Sequence, residues 1–331
     1  MHSTHPTRRH LLALGAAAFT ASFAGTARAQ TGWPDKPIKI IVAYSAGGDT
    51  DVLARVFGKE LSARIHQPVL VENRTGASGM IGTSLVAHAP PDGYTLLLAP
   101  NTVAITPLVL KNASGAMYNP VSDLAPIIQL GSQSLFVVVN AQTGVRSVDE
   151  LVAAAKAGRI QSYASPGYGT PMHILAELFA KSAGVQLTQV PFQGSAPAVP
   201  ALVGGQVPMM FTTLGPVDGF LREGKLRVLA VADPKRSPLR PDVPTLTELG
   251  YKGAEVGAWQ AMMGPAGLPD ALVRELNRHF NEILQMPSIR ERMTAMFVVP
   301  AGGDAASMGR LVADDYRRYA RIVDEFKIHA S

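Results

Sequence analysis

The strongest constraint on this chain is a rhythm: short apolar runs, each closed by a glycine- or proline-bearing turn and followed by a segment of helical periodicity. Ile38-Lys39-Ile40-Ile41-Val42-Ala43 reads as a buried strand, since strands covered on both faces are almost continuously apolar. Beyond the loop at 44–48, Leu53, Phe57, Leu61 and Ile65 recur every four residues and predict a helix with one apolar stripe, capped by Asp49 or Thr50. Val69-Leu70-Val71, a glycine-rich turn at 75–79, a helix carrying Ile81, Leu85 and Val86, and the run Tyr94-Thr95-Leu96-Leu97-Leu98 continue the pattern. Such alternation predicts an α/β fold with parallel strands.

A second set of units spans 148–231. It has predicted strands at 161–164, 187–192, 208–213 and 226–231, and helices at 148–157, at 170–183 and from Ser195. Extended runs near 127–134 and 254–262 join the two sets, and helices at 270–285 and beyond Val299 close the chain. The expectation is two Rossmann-like lobes with a hinge and a ligand cleft between them. Residues 30–130 with 256–331 form lobe 1, to which the terminal helices return, and 131–255 form lobe 2. The length of 331 residues suits two domains of ordinary size. In open α/β sheets ligands sit beyond the carboxyl ends of strands, so the loops after strands are where function is sought.

The first 29 residues are set apart. They hold no acidic residue, open with Thr7-Arg8-Arg9-His10-Leu11-Leu12, run apolar to Ala24 and end Ala27-Arg28-Ala29. That is the pattern of a cleaved signal peptide, 1–29, with Gln30 first in the mature chain and a periplasmic destination. The paired arginines favour the twin-arginine route over the general secretory one. Of the net charge of +5, three arginines belong to this segment. The remaining charges are mixed, without a basic stripe, which argues against nucleic acid as a partner. With no cysteine, disulfides and thiol chemistry are excluded. His2, His5 and His10 fall in the signal, and His66, His88, His173, His279 and His329 lack ligand spacing, so no metal or other cofactor is expected.

Four loops could hold a ligand. In the first, Tyr44, Ser45, Ala46, Gly47, Gly48, Thr50 and Asp51, glycine allows close backbone approach, and the N–H groups of the coming helix attract an anion. It lacks the Lys-Ser/Thr of a phosphate loop, and a carboxylate suits it better. Such a loop donates only, with the Asp51 carboxylate turned away. The second contains Ser165, Gly167, Gly169, Thr170 and His173, with Thr170 as helix cap and Pro171 at the first helical position. Gln193 and Gly194 mark the third, Thr212 and Thr213 the fourth. Ordinary capping explains any one of them, but four in one chain point to a site. A hydrolase using Ser165 and His173 is the rival, although no nucleophile elbow or acid partner is present. Trp259 on the second crossing suits cleft or core equally.

Ordered motifs sharpen this picture. They include Trp33-Pro34 with Lys36-Pro37-Ile38, Gly47-Gly48 with Thr50-Asp51, Val71-Glu72-Asn73-Arg74, and Pro91-Asp92-Gly93-Tyr94-Thr95-Leu96. Further on come Tyr163-Ala164-Ser165, Pro191-Phe192-Gln193-Gly194-Ser195-Ala196-Pro197, Gly204-Gly205-Gln206-Val207 and Asp242-Val243-Pro244-Thr245. Together they resemble the receptors of tripartite tricarboxylate transporters, the Bug family. The resemblance implies a type II periplasmic-binding-protein fold without catalysis. It also implies capture of a small organic carboxylate and membrane permease subunits, or a sensor protein, as partners. Many members carry an acid where this chain has Thr212, so a dicarboxylate or aromatic acid is expected ahead of an amino acid, whose ammonium would want a carboxylate.

Overall fold

The computed structural model describes residues 32–110 and 118–328; the signal-peptide reading and His329 fall outside them. From Lys36 on, the described residues form one body. Its chain order begins β1 (Ile38–Val42), α1 (Asp49–Ile65), β2 (Val69–Asn73), α2 (Met80–Ala87), β3 (Thr95–Pro100) and a short α3 (Thr106–Val109). Then come β4 (Leu124–Gln133), β5 (Phe136–Asn140), α4 (Val148–Lys156), β6 (Ser162–Ser165), α5 (Pro171–Ala183), β7 (Thr188–Pro191), α6 (Ser195–Val203) and β8 (Met209–Thr212). The chain ends α7 (Asp218–Arg222), β9 (Leu226–Val231), β10 (Ala258–Pro265), α8 (Asp270–Leu284), α9 (Pro287–Ala295), β11 (Val299–Pro300) and α10 (Ala305–Phe326).

Two sheets result, ordered β11-β4-β10-β3-β1-β2 and β7-β6-β8-β5-β9. The α/β class expected from the rhythm is what folds. The strands are not all parallel, however: β10 runs antiparallel to β3 and β4, and β5 runs antiparallel to β8 and β9. The reason is topological. A strand that arrives from the other sheet enters from the opposite end, so β10 and β5 run against their neighbours; the short edge strand β11 is also antiparallel to β4. The crossings lie side by side: Gln133 opposes Ala258, and the Ala232 N–H donates to the Leu135 carbonyl at 2.8 Å.

The predicted stripe of α1 is real, with Leu53, Phe57 and Leu61 buried and the Phe57 ring 6.2 Å from that of Phe280 on α8. Burying each such side chain contributes ~1.5–3 kcal/mol. Trp259 belongs to the core, with its indole Nε1 donating to Asp315 at 2.7 Å. The last helix departs from expectation. Met308 and Val312 of α10 join the core of the first sheet, whereas Tyr319 and Val323 pack into that of the second. Its apolar face is long enough, at 22 residues, to reach both.

Candidate functional site

The two sheets present their loops to one another across a cleft of about 520 Å³, part of it open to solvent. From the first sheet come the loop after β1, the turn after β3 and the ends of the crossing strands. The second sheet supplies the loops after β6, β7 and β8.

The loop after β1 is stitched to its opposite number. Ser45 Oγ donates to the Gln193 carbonyl at 2.7 Å, and the Ser45 N–H to the same oxygen at 3.3 Å. The Tyr44 hydroxyl donates to the Ser78 carbonyl at 3.2 Å. Burial, with the Asp49 carboxylate adding to it, pushes this phenol far up, so it stays neutral. Gly48 has φ −76°, which any residue adopts; a Cβ there would stand 3.2 Å from Ser195 Oγ across the cleft, tighter than an ordinary contact.

The loop is not a bare set of donors. Asp51 Oδ2 accepts the Gly47 N–H at 2.9 Å, and the same carboxylate pairs with Arg55 at 2.9 Å and with Asn73 Nδ2 at 2.9 Å. Burial alone would raise this carboxyl, but Arg55, the Gly47 N–H and Asn73 together hold it below its usual range. Neither predicted side chain caps α1, whose N-cap is Gly48. Asp49 faces the cleft instead: Oδ1 accepts from Ser195 Oγ at 3.0 Å and from the Thr50 N–H at 3.1 Å, and Oδ2 accepts from Thr213 Oγ1 at 3.2 Å.

The second loop follows the capping rule. Thr170 Oγ1 accepts the His173 N–H at 3.2 Å, with Pro171 beginning α5. His173 is buried, and its Nδ1 accepts the Gly169 N–H at 3.1 Å; burial pushes the imidazole down to about 4. Ser165 Oγ accepts from Gln189 Nε2 at 2.6 Å and from the Gly167 N–H at 3.1 Å. No hydrogen bond joins Ser165 to His173 among the described residues, so the rival nucleophile and base are not paired.

Of the residues singled out by sequence, Tyr44, Ser45, Gly48, Thr50, Thr170, Gly194 and Thr213 line the cleft. Ala46 and Gly47 lie exposed on the loop. Asp51, Ser165, Gly167, Gly169, His173 and Gln193 stand outside the wall and fix the loops from there. Thr212 is wholly buried in β8 beside Thr213 of the wall, and its Oγ1 makes no hydrogen bond within the protein. Sequence reasoning missed Asp49, Asn101, Gln133 and Gln260, all of which line the cleft. Asn101 follows a strand end and was within reach of the rule applied elsewhere. Gln133 and Gln260 are buried amides inside apolar crossing strands, and that contrast was the available signal. Gln133 Nε2, Gln260 Oε1 and Asn101 Oδ1 make no hydrogen bond within the protein. Among the described residues no three His, Asp or Glu stand together as a metal site would require.

Residues 53–328 match the model of the tripartite tricarboxylate transporter family receptor, TctC. The chain belongs to this family. Among TctC relatives, BugT of Bordetella pertussis is 36% identical over 319 residues, covering 96% of this chain and 97% of BugT. The structure of the periplasmic binding protein BugD superposes with a TM-score of 0.84 at 30% identity, covering 90% of this chain and all of BugD. MatC from Rhodopseudomonas palustris, solved with bound malate, gives 0.82 at 29% identity over 88% of this chain and all of MatC. The TctC receptors are thus periplasmic binding proteins of two lobes, and the two sheets here are those lobes in kind.

Proposed function

We propose that this receptor captures a small organic carboxylate by closing its two sheets over it, and delivers it to the permease subunits of a tripartite tricarboxylate transporter. One observation carries the reading: at the meeting of the sheets, buried amides of Gln133, Gln260 and Asn101 hold polar atoms that nothing in the protein satisfies. An unmet buried polar atom costs ~1–3 kcal/mol, a cost a polar ligand removes. MatC, with its malate, supports a carboxylate. Three or four hydrogen bonds to a charged group, at ~1.5–3 kcal/mol each, less the cost of ordering, reach the ~8 kcal/mol of micromolar binding. Residues 30–130 with 256–331 would move against 131–255 about the paired crossings at 133–135 and 232–258.

The preference for a dicarboxylate or aromatic acid over an amino acid rested on Thr212. Thr212 is buried next to the wall's Thr213, and Asp49 is the acid that the wall itself carries. Export through a signal peptide at 1–29 completes the proposal, and N-terminal sequencing of the periplasmic protein is expected to begin at Gln30. The binding test is a thermal-shift screen of the exported protein against organic acids. A ligand at 100 times its Kd adds ~2.7 kcal/mol of stability. If turnover of ester substrates appears and no acid shifts the melting temperature, the receptor reading fails.

A further inference from the structure

The charge of the cleft wall narrows the ligand class, on the premise that the cleft is a carboxylate receptor. Asp49 is the charged residue of the wall, which includes no Lys, Arg or His. The nearby cation, Arg55, is engaged by Asp51 through both Nε (3.1 Å) and NH2 (2.9 Å), so it does not offset Asp49. Asp49 is also held in place: the hydroxyls of Ser195 and Thr213 and the Thr50 N–H fix its carboxylate between the two sheets. A carboxylate offers about four acceptor positions, and these three bonds leave room for another donor.

The neighbouring wall adds acceptors. Asn101 Nδ2 is committed to the Gly257 carbonyl at 3.0 Å, which leaves Asn101 Oδ1 without a donor. Gln260 Nε2 lies 3.4 Å from Thr50 Oγ1 on the helix that carries Asp49, and Gln260 Oε1 is unmet. On the donor side stand Gln133 Nε2 and the Thr50 hydroxyl, since those of Tyr44, Ser45, Thr170, Ser195 and Thr213 already donate within the protein. A dianion entering this cleft would meet a fixed like charge with no cation in the wall to offset it, which is unfavourable. A molecule with one carboxylate and one cationic nitrogen would satisfy both halves of the wall.

We infer that the ligand is a zwitterionic carboxylate, its carboxylate taken by the neutral donors and its cationic nitrogen set against Asp49, and that Asp49 is the residue that selects it. Calorimetry on the exported protein tests this with pairs differing by one amine: butyrate and 4-aminobutyrate, glutarate and glutamate, 3-phenylpropionate and phenylalanine. In at least one pair the nitrogen-bearing member is expected to bind at least tenfold more tightly. Asp49→Asn is expected to bring that ratio within about threefold, and Asp49→Glu, which keeps the charge, to preserve its direction. Melting temperatures without ligand confirm that both variants are folded. The inference is overturned if the des-amino members bind as tightly or better in every pair, or if the preference survives Asp49→Asn. It is also overturned if Asp49→Asn tightens the des-amino acids alone, since Asp49 would then be occupying the place of the ligand's own carboxylate. Failure of the receptor premise looks different: no member of any pair binds wild type or variant, and the inference falls with it.

Discussion

Acidification offers a sharp test of how the second loop is held, through His173. The imidazole is buried and accepts the Gly169 N–H at Nδ1, a bond that exists only while that nitrogen is unprotonated. Facing it are Glu177, whose Oε1 lies 3.8 Å from Nε2, and the Tyr168 ring at 5.8 Å. Burial lowers the folded pKa to about 4 from the ordinary 6.5. The unfolded chain therefore takes up this proton first. The contribution of His173 is fully present above about pH 6.5 and is lost as pH falls toward 4. At pH 4.5 the loss comes to about 2.5 kcal/mol relative to pH 7.5. Glu177 works the other way, since burial raises its carboxyl, so the comparison has to be differential. Urea unfolding of wild type and His173→Gln at both pH values should show wild type losing about 2.5 kcal/mol more than the variant on acidification. A double difference below ~0.5 kcal/mol, together with an imidazole proton signal titrating near 6.5, would refute the reasoning.

Three further outcomes follow from the geometry. Gly48→Val places a side chain against Ser195 Oγ at an unstrained backbone, so ligand affinity should drop at least tenfold in calorimetry while the melting temperature moves little; an intact affinity would mean the sheets do not close at this point. Gly169→Ala meets Thr106 Cα at 2.8 Å from a φ of +64°, so it should weaken binding and cost ~1–2 kcal/mol in urea unfolding, and unchanged values for both would contradict the contact. Asp51→Asn strips the carboxylate shared by Gly47, Arg55 and Asn73 and should cost ~1–3 kcal/mol, more than a helix-dipole effect alone; because its pKa is depressed in the fold, this contribution should vanish as pH falls through that value, and a pH-independent cost would argue against it.

Local rules were legible and tertiary ones were not. Thr170 caps its helix and Pro171 starts it because both facts depend on a few neighbouring residues. The loop at 44–48 could be found from its glycines and its place after a strand. Which side of a crossing strand faces the cleft depends on pairing that the sequence does not display. Trp259 turns into the core and its neighbour Gln260 into the cleft, and a register shift between Gln260 and Ala261 interrupts the alternation that a reader would extrapolate. Antiparallel β5 and β10 escaped for the same reason: their direction is set by the sheet they enter. Asp49 was misread. It was read as a candidate helix cap, whereas its carboxylate reaches the cleft.

The placement of β10 has a consequence for how the chain becomes a protein. It is an inner strand of the first sheet, hydrogen-bonded on one side to β3 and on the other to β4, with Gln260 opposite Pro100. Every residue of the second sheet is synthesised between β4 and β10. The half begun first is therefore finished last, and until residue 265 arrives β3 and β4 expose unpaired edges. Pairing across so long an intervening segment carries a large loop-closure entropy and makes for slow, non-local folding. The second sheet, local by comparison, is free to condense while the first waits open, a state in which bare strand edges invite mispairing.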